Sequence, residues 1–143
     1  MQPIDPGIGT EANPLVHPIT GERIVFRKRS ADTRGELLEF TLFLAPGGFI
    51  AAQHVHPKQE ERFEVSGAAV MFEVGGQQRL VQPGEVAVVP AGTPHVWWNP
   101  SATESATLVQ FRPALDTETF FERSSAWRRT ARSGRTGCLI RSR

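Results

Sequence analysis

Residues 48–67 read GFIAAQHVHPKQEERFEVSG. This stretch contains two of the four histidines of the chain, His54 and His56, one residue apart, followed by two adjacent glutamates, Glu60 and Glu61. Because alternate side chains of a β-strand share a face, His54 and His56 are expected to point in the same direction. Two imidazoles on one face indicate a pair of metal ligands.

The same alternation separates the two glutamates. Phe63 and Val65 are apolar and should face the core of the protein, which carries Glu61 inward with them. Glu60 then faces solvent. We therefore predict that Glu61, rather than Glu60, lies with the two histidines.

A third histidine, His95, occurs in residues 90–99, PAGTPHVWWN, after a turn that ends an apolar strand. Trp97 shares a strand face with His95 and is predicted to form a wall of the site. Phe63 is assigned to the same cofactor-binding wall, although packing in the core is the commoner role of a buried phenylalanine. The remaining histidine, His17, lies in a proline-rich segment, and no role is assigned to it.

Short apolar segments of strand length occupy most of the chain, with turns rich in glycine and proline between them. No long helical period interrupts this pattern, which predicts an all-β fold, an antiparallel sandwich or barrel. Gly75-Gly76 predicts a tight hairpin. The predicted strands are residues 23–29, 37–44, 49–55, 61–65, 69–74, 78–81, 85–89, 95–98 and 107–112.

The two ends of the chain differ from this central part. Residues 1–21 contain four prolines and three glycines and predict an extended arm without a packed element. Residues 22–113 form the predicted barrel. Residues 114–143 predict a short helix that follows Asp116 and runs as far as Trp127, and then a disordered basic tail. Residues 1–122 hold nine basic and fifteen acidic residues, a net charge of −6, whereas residues 123–143 hold seven arginines and no acid, a net charge of +7.

Composition narrows the class of protein. A chain of 143 residues, 39% apolar and 22% charged, predicts one soluble domain. No apolar run approaches the roughly 20 residues that cross a bilayer, and no secretory signal is evident, so we expect a cytoplasmic protein without a membrane partner. The single cysteine, Cys138, excludes an internal disulfide. The seven arginines of residues 123–143 are not interleaved with aromatic residues and are not expected to lie on a folded scaffold. No helix-turn-helix pattern is present either, so we expect no nucleic-acid partner.

Two spaced motifs resemble those of the cupins. The first cupin motif runs glycine, five residues, His-x-His, three or four residues, glutamate, six residues, glycine, and residues 48–67 are similar to it. The second runs glycine, five residues, Pro-x-Gly, two residues, histidine, three residues, asparagine, and residues 84–99, GEVAVVPAGTPHVWWN, match every fixed position. Counting six residues back from Gly67 selects Glu60, whereas strand alternation selects Glu61. We favour Glu61, because a deletion in a turn is tolerated better than a one-residue slip of a strand.

The resemblance implies a double-stranded β-helix, the antiparallel jelly-roll barrel of cupins, and a homodimer. It also implies one divalent transition metal, which could be iron, manganese, nickel, copper or zinc, held by His54, His56, Glu61 and His95. Four protein ligands leave two positions of an octahedron open, which suits a metal-dependent dioxygenase or isomerase of a small organic molecule. The alternative is a non-catalytic cupin that binds a small molecule.

Overall fold

The computed structural model describes residues 9–50, 52–123 and 128–129. Within those residues the chain forms ten β-strands and one α-helix. The strands are β1 Leu15–Val16, β2 Arg23–Lys28, β3 Leu38–Leu44, β4 Glu60–Gly67, β5 Val70–Val74, β6 Gln77–Val81, β7 Val86–Val89, β8 His95–Trp98, β9 Ser105–Arg112 and β10 Arg128–Arg129, and the helix is α1 Thr117–Arg123. The predicted all-β fold is confirmed.

The strands form two antiparallel sheets. The larger sheet has the order β10-β1-β2-β3-β9-β4-β7, and the smaller one has the order β6-β5-β8. Strands distant in sequence are neighbours in both sheets, because β3 pairs with β9 along its whole length and β5 pairs with β8. Non-local pairing of this kind, with two sheets sharing one core, is the jelly-roll arrangement.

Aromatic side chains join the two sheets. The ring of Phe63 on β4 lies 4.6 Å from that of Phe72 on β5, and Phe72 stacks on Trp97 of β8 with centroids 5.2 Å apart. All three residues are buried in the main core cluster. Burying one such side chain stabilises a fold by roughly 1.5–3 kcal/mol, so this cluster is a principal contact between the sheets.

Asn99, the last fixed position of the second motif, is fully buried and fastens the end of β8. Its side-chain nitrogen donates to the carbonyl oxygens of Leu44 at 3.0 Å and Thr103 at 2.8 Å, and its side-chain oxygen accepts from the backbone N–H of Ser101 at 2.9 Å. A buried amide with its donors and acceptor engaged fixes the loop between β8 and β9.

The hairpin predicted at Gly75-Gly76 is confirmed. Val74 pairs with Gln77, so the loop contains two residues, and both have positive φ angles, 58° and 86°. Two consecutive positive φ angles define a type I′ turn, which glycine adopts without steric cost.

Two local predictions need correction. Residues 49–50 and 52–55, the described part of one predicted strand, form no strand; they touch β8 at two isolated bridges, from Phe49 to Trp98 and from His54 to His95. The predicted arm before residue 22 contains β1. Leu15 on this strand is 2% exposed and packs in the core, because β1 pairs with β2 in the larger sheet. Helix α1 is described as far as Arg123, and its predicted continuation to Trp127 and the predicted tail from residue 130 lie outside the described residues.

Candidate metal centre

Backbone hydrogen bonds hold His54 and His95 side by side. The N–H of His54 donates to the carbonyl of His95 at 2.9 Å, and the N–H of His95 donates to the carbonyl of His54 at 2.9 Å. His95 begins β8, whereas His54 lies outside any strand. The two imidazole rings therefore lie close together, with centroids 4.3 Å apart.

His56 and Glu61 complete a cluster of four potential ligands. The ring of His56 lies 4.9 Å from that of His54 and 5.3 Å from that of His95. Glu61 reaches the cluster from β4, opposite Val89 of β7 and Phe111 of β9. One ligand atom from each of the four side chains lies within 4.8 Å of those of the others. Three imidazoles and one carboxylate thus converge on one point.

Backbone carbonyls fix which ring nitrogens face the centre of the cluster. Nδ1 of His54 is 2.9 Å from the carbonyl oxygen of Ala52, and Nδ1 of His95 is 2.9 Å from that of Thr93. A carbonyl can only accept, so each Nδ1 carries a proton and each Nε2 is turned toward the centre. Nε2 of His54 keeps its lone pair for a ligand, whereas Nε2 of His95 would first give up the proton that it shares with Glu61. This orientation of ring by backbone is common around metal-binding histidines.

The buried ring nitrogen Nε2 of His56 makes no hydrogen bond with the described residues. Nε2 of His56 is 3.3 Å from Oε1 of Glu61, close enough for an ion pair but without hydrogen-bond geometry, so it has no hydrogen-bond partner among the described residues. Nε2 of His95, in contrast, makes a 2.8 Å hydrogen bond with the same oxygen. A buried polar atom left without a partner is costly, and a bound cation would remove that cost.

The electrostatics of the cluster favour an ionised carboxylate. Burial raises the pKa of Glu61, but its contacts with His56 and His95 outweigh burial and hold that pKa below the usual value. Burial lowers the pKa of His95, and its hydrogen bond with Glu61 more than offsets this, so the pKa of His95 is raised. Burial is the main reason why the pKa of His54 is lowered, which favours a neutral imidazole.

The structure separates the two glutamates as strand alternation predicts. Glu61 is 4% exposed and points into the cluster, whereas Glu60 is exposed on the other face of β4. Counting back from Gly67 selects the glutamate that faces solvent, because β4 continues through Gly67 and its side chains alternate throughout.

A cavity of about 670 Å³ opens beside the cluster. Its wall includes three of the four potential ligands, His54, His56 and Glu61, together with Trp97. Phe63 does not line it; that side chain is buried in the core, with its ring 6.4 Å from the ring of His95. The remaining lining residues are His17, Glu22, Phe40, Leu42, Ile50, Ala52, Gln59, Phe111, Leu115, Asp116, Thr117, Phe120 and Phe121.

Several of these lining residues were not predicted as site residues. Glu22 has a detectable signal, since it shares strand parity with the apolar residues Ile24 and Phe26 just after it. His17, which was assigned no role, lines the same cavity. The residues of α1 carry no such signal, because only the packing of the helix brings them to the cavity.

Helix α1 is fastened over the cavity by two side chains. The amide nitrogen of Gln59 is 2.9 Å from the carbonyl oxygen of Pro113, from that of Ala114 and from the hydroxyl of Thr117. The guanidinium of Arg29 pairs with Glu118 at 2.9 Å and with Glu122 at 2.6 Å. Gln59 lies between the histidine segment and β4, so it links the candidate metal centre to the helix.

An antiparallel jelly roll with three histidines and a glutamate gathered beside an internal cavity defines a class of small barrel proteins suited to hold a metal. The sequence agrees, because the family model described as a cupin domain matches residues 40–111, half of the chain. The chain belongs to the cupin family. The resemblance inferred from the two motifs is thereby confirmed.

Solved structures show the same fold. A predicted oxalate decarboxylase from Thermotoga maritima is 17% identical, with a TM-score of 0.62 over 64% of this chain and 80% of that one. The protein TT1209 from Thermus thermophilus is 32% identical, with a TM-score of 0.53 over 55% of this chain and 74% of that one. A recombinant oxalate oxidase in complex with glycolate is 25% identical, with a TM-score of 0.57 over 66% of this chain and 52% of that one.

A search of curated protein sequences gave no significant match. In the part of the chain that the structure describes, no helix has the length and apolar character of a membrane span.

Proposed function

We propose that this cupin is a metal-dependent enzyme, an oxygenase or isomerase that acts on a small organic molecule. The observation that carries the proposal is the position of the ligand cluster. His54, His56 and Glu61 form part of the wall of a cavity of about 670 Å³, so a substrate in the cavity would lie against the metal-binding side chains. Cavities of roughly 300–1,000 Å³ are typical of small-molecule sites.

The four residues fit a divalent transition metal. Nitrogen ligands from three imidazoles together with one carboxylate suit iron, manganese, nickel, copper or zinc. The hydrogen bonds from Nδ1 of His54 and His95 hold two of the rings with Nε2 toward the centre. Glu61 contributes a negative charge, and its proton-sharing contact with His95 would give way when the metal binds.

A bound metal of this kind supplies Lewis-acid polarisation of a substrate oxygen or, with a redox-active ion, one-electron chemistry. The protein supplies position and environment. Phe111 packs against His56, with the two ring centroids 4.8 Å apart, and Trp97 forms another apolar part of the cavity wall. Helix α1, held by Gln59, covers another side.

The comparison with oxalate oxidase supports this proposal. One of the similar structures, 25% identical over 66% of this chain, is of an oxalate oxidase in complex with the substrate analogue glycolate. That relative is an oxidase that binds a small organic acid in a barrel of the same fold. We carry over the coarse class of chemistry, oxidation or rearrangement of a small organic molecule, and not the substrate.

The test combines metal analysis with a substrate screen. We expect the purified protein to carry about one first-row transition metal per chain, and oxygen uptake or isomerisation with at least one small organic substrate to depend on that metal. The control is the same screen after chelation and after restoration of the metal. A protein that contains no metal and takes up none on titration would contradict the proposal.

A second candidate is a non-catalytic cupin that binds a small molecule. The observation that favours it is the lining of the cavity, in which Phe40, Leu42 and Ile50 offer apolar surface and no reacting group. The two functions differ in their need for metal. An enzyme loses turnover when the metal is removed, whereas a binding protein of this kind keeps its affinity for an apolar ligand.

A further inference from the structure

A second buried carboxyl lies on the cavity wall away from the metal centre. Glu22, just before β2, is 6% exposed and lines the cavity. Two strands, β3 and β9, separate β2 from β4, which carries Glu61. Neighbouring strands are about 4.8 Å apart, so the two carboxyls are separated by on the order of 14 Å measured across the sheet. The cavity therefore has a polar group at each of two ends.

Few of the described groups offset the free-energy cost of burying the carboxyl of Glu22. The hydroxyl of Thr20 donates to its Oε2 at 2.5 Å, and this is the one hydrogen bond that the Glu22 side chain makes with the described residues. No lysine or arginine belongs to the described lining of the cavity, where the other acidic residues are Glu61 and Asp116. Burial without a cationic neighbour raises the pKa of Glu22 to about 7, and the hydrogen bond from Thr20 only partly opposes this.

The turn that precedes β2 does not need the Glu22 side chain. The backbone closes residues 17–22 by itself, since the N–H of His17 donates to the carbonyl of Glu22 at 2.8 Å and the N–H of Gly21 donates to the carbonyl of His17 at 2.9 Å. Nδ1 of His17 also accepts from the N–H of Thr20 at 3.2 Å. The carboxyl of Glu22 is buried, is not needed to build its own turn and faces the cavity with one oxygen that makes no hydrogen bond to the described residues. It is therefore available for a ligand.

We propose that the cavity takes a largely apolar small molecule whose hydroxyl or amino group donates a hydrogen bond to Glu22 while its other end faces the metal centre. This inference rests on the proposed function, because it identifies the substrate class of the same cavity. The apolar body would contact Phe40 and Leu42, which lie on β3 between the two polar ends. An anionic group at the Glu22 end would meet a carboxyl, and the described lining offers no lysine or arginine to pair with it, so molecules such as dicarboxylates are poor candidates.

The test uses three probes with one phenylalkyl body and different ends: 4-phenylbutan-1-amine, 4-phenylbutan-1-ol and 4-phenylbutyl methyl ether. Their affinities for the purified full-length protein are measured by calorimetry at about pH 8, above the pKa of Glu22. Only the amine and the alcohol can donate a hydrogen bond. We expect the amine to bind at least about tenfold more tightly than the ether, the factor that corresponds to one buried hydrogen bond to a charged group, and the alcohol to lie between them.

Two variants assign the preference to Glu22. Glu22→Gln keeps an acceptor and removes the charge, so the amine should lose its advantage over the alcohol to within about threefold. Glu22→Leu removes the acceptor, so the alcohol should bind no better than the ether. Glu36→Gln, which changes an exposed glutamate before β3, should leave all three affinities unchanged. The ranking of the three probe affinities is measured on the unaltered protein, so it does not depend on whether any variant folds.

The outcomes separate this inference from the proposed function. An ether that binds as tightly as the alcohol and the amine, a ranking that survives Glu22→Leu, or the absence of saturable binding of any probe would overturn the role of Glu22. Those results leave metal content and metal-dependent turnover untouched. A chain that takes up no metal but ranks the probes as expected would instead overturn the proposed function and leave the ligand preference standing.

Discussion

The two ends of the cavity each carry a buried glutamate, Glu61 beside three imidazoles and Glu22 beside one threonine hydroxyl. Burial disfavours the charged form of both. At Glu61 the contacts with His56 and His95 reverse that effect and lower the pKa, whereas at Glu22 burial dominates and raises the pKa to about 7. The neighbours of a buried carboxyl, more than burial itself, decide whether it is suited to a metal or to a hydrogen-bond donor.

The difference also separates the two ends chemically. One end offers a set of ligands with an ionised carboxylate. The other offers a carboxyl in apolar surroundings that gains most from a donor brought by a ligand. Substitutions that alter one end and leave the other unchanged test whether this division holds.

The largest expected effect is on metal content. Glu61→Ala should lower the metal affinity by more than about 100-fold relative to the unaltered protein, because it removes a ligand, and even loss of a group that only orients a ligand costs roughly 10–100-fold. Elemental analysis of the purified variants measures the bound metal per chain.

Glu60→Ala is the matched control for that change, since Glu60 is the adjacent glutamate on the exposed face of β4. It should retain the metal content of the unaltered protein. The reverse result, with metal lost from Glu60→Ala and kept by Glu61→Ala, would show that the strand faces have been assigned wrongly.

The second effect concerns stability and pH at the other end of the cavity. The raised pKa of Glu22, about 7 against 4.5, means that the folded protein holds this proton more tightly than the unfolded chain. The stabilisation is therefore complete below pH 4.5 and is lost as the pH rises through 7. A shift of about 2.5 pKa units corresponds to about 3 kcal/mol. Glu22→Gln should remove this dependence, as measured by urea unfolding at about pH 4.5 and about pH 8 in the presence of a chelator.

The comparison of Glu22→Gln with the unaltered protein cancels the titration of the histidines, which both proteins share. Glu36→Gln serves again as the control, and its stability should follow that of the unaltered protein at both pH values. Identical pH profiles for Glu22→Gln and the unaltered protein would mean that Glu22 is not desolvated in solution.

A third, smaller effect is expected at the link between the metal centre and α1. Gln59→Leu removes the hydrogen bonds that the Gln59 amide donates to Pro113, Ala114 and Thr117. The free energy of unfolding should fall by about 2 kcal/mol. In a double variant with Glu22→Gln the two changes should add, because the substituted residues share no contact. Marked non-additivity would indicate that the two ends of the cavity are coupled.

The smallest effect concerns Thr20, which opposes the rise in the pKa of Glu22. Thr20→Val removes the donor to Oε2 at nearly constant shape and should raise the pKa of Glu22 further, by up to about one unit. Carboxyl NMR titration of Glu22 measures it. A lowered pKa in this variant would mean that water enters the site and replaces the hydroxyl.

The sequence predicts much of this fold and of the cluster of potential ligands because both depend on strand periodicity. The alternation of Phe63 and Val65 with their neighbours places Glu61 inward, and the structure has it there. The spacing to Gly67 misleads because β4 runs without a break from Glu60 to Gly67, and a count of residues along a strand does not decide which side chain faces inward.

The parts that the sequence does not predict depend on contacts between distant segments. Residues 49–55 have strand composition, yet the described residues of that range pair at two isolated bridges, so composition alone does not make a ladder. Gln59 gains its partners only because the chain returns at residues 113–117. Glu22 has the parity of an inward residue, but which inward residues border a cavity depends on how β2, β3 and α1 pack together.

The reciprocal backbone hydrogen bonds between His54 and His95 have a consequence for the way a metal enters. In small zinc-folded domains the ligands are brought together by the ion, so removal of the ion unfolds the chain. Here two of the ligands are already fastened to each other by the main chain, and a third comes from a strand paired on both sides. Most of the entropy cost of ordering the site therefore arises when the chain folds, and little of it arises when a metal binds. The ion should therefore be exchangeable in the native state, with the emptied protein remaining a folded and rigid receptor for it.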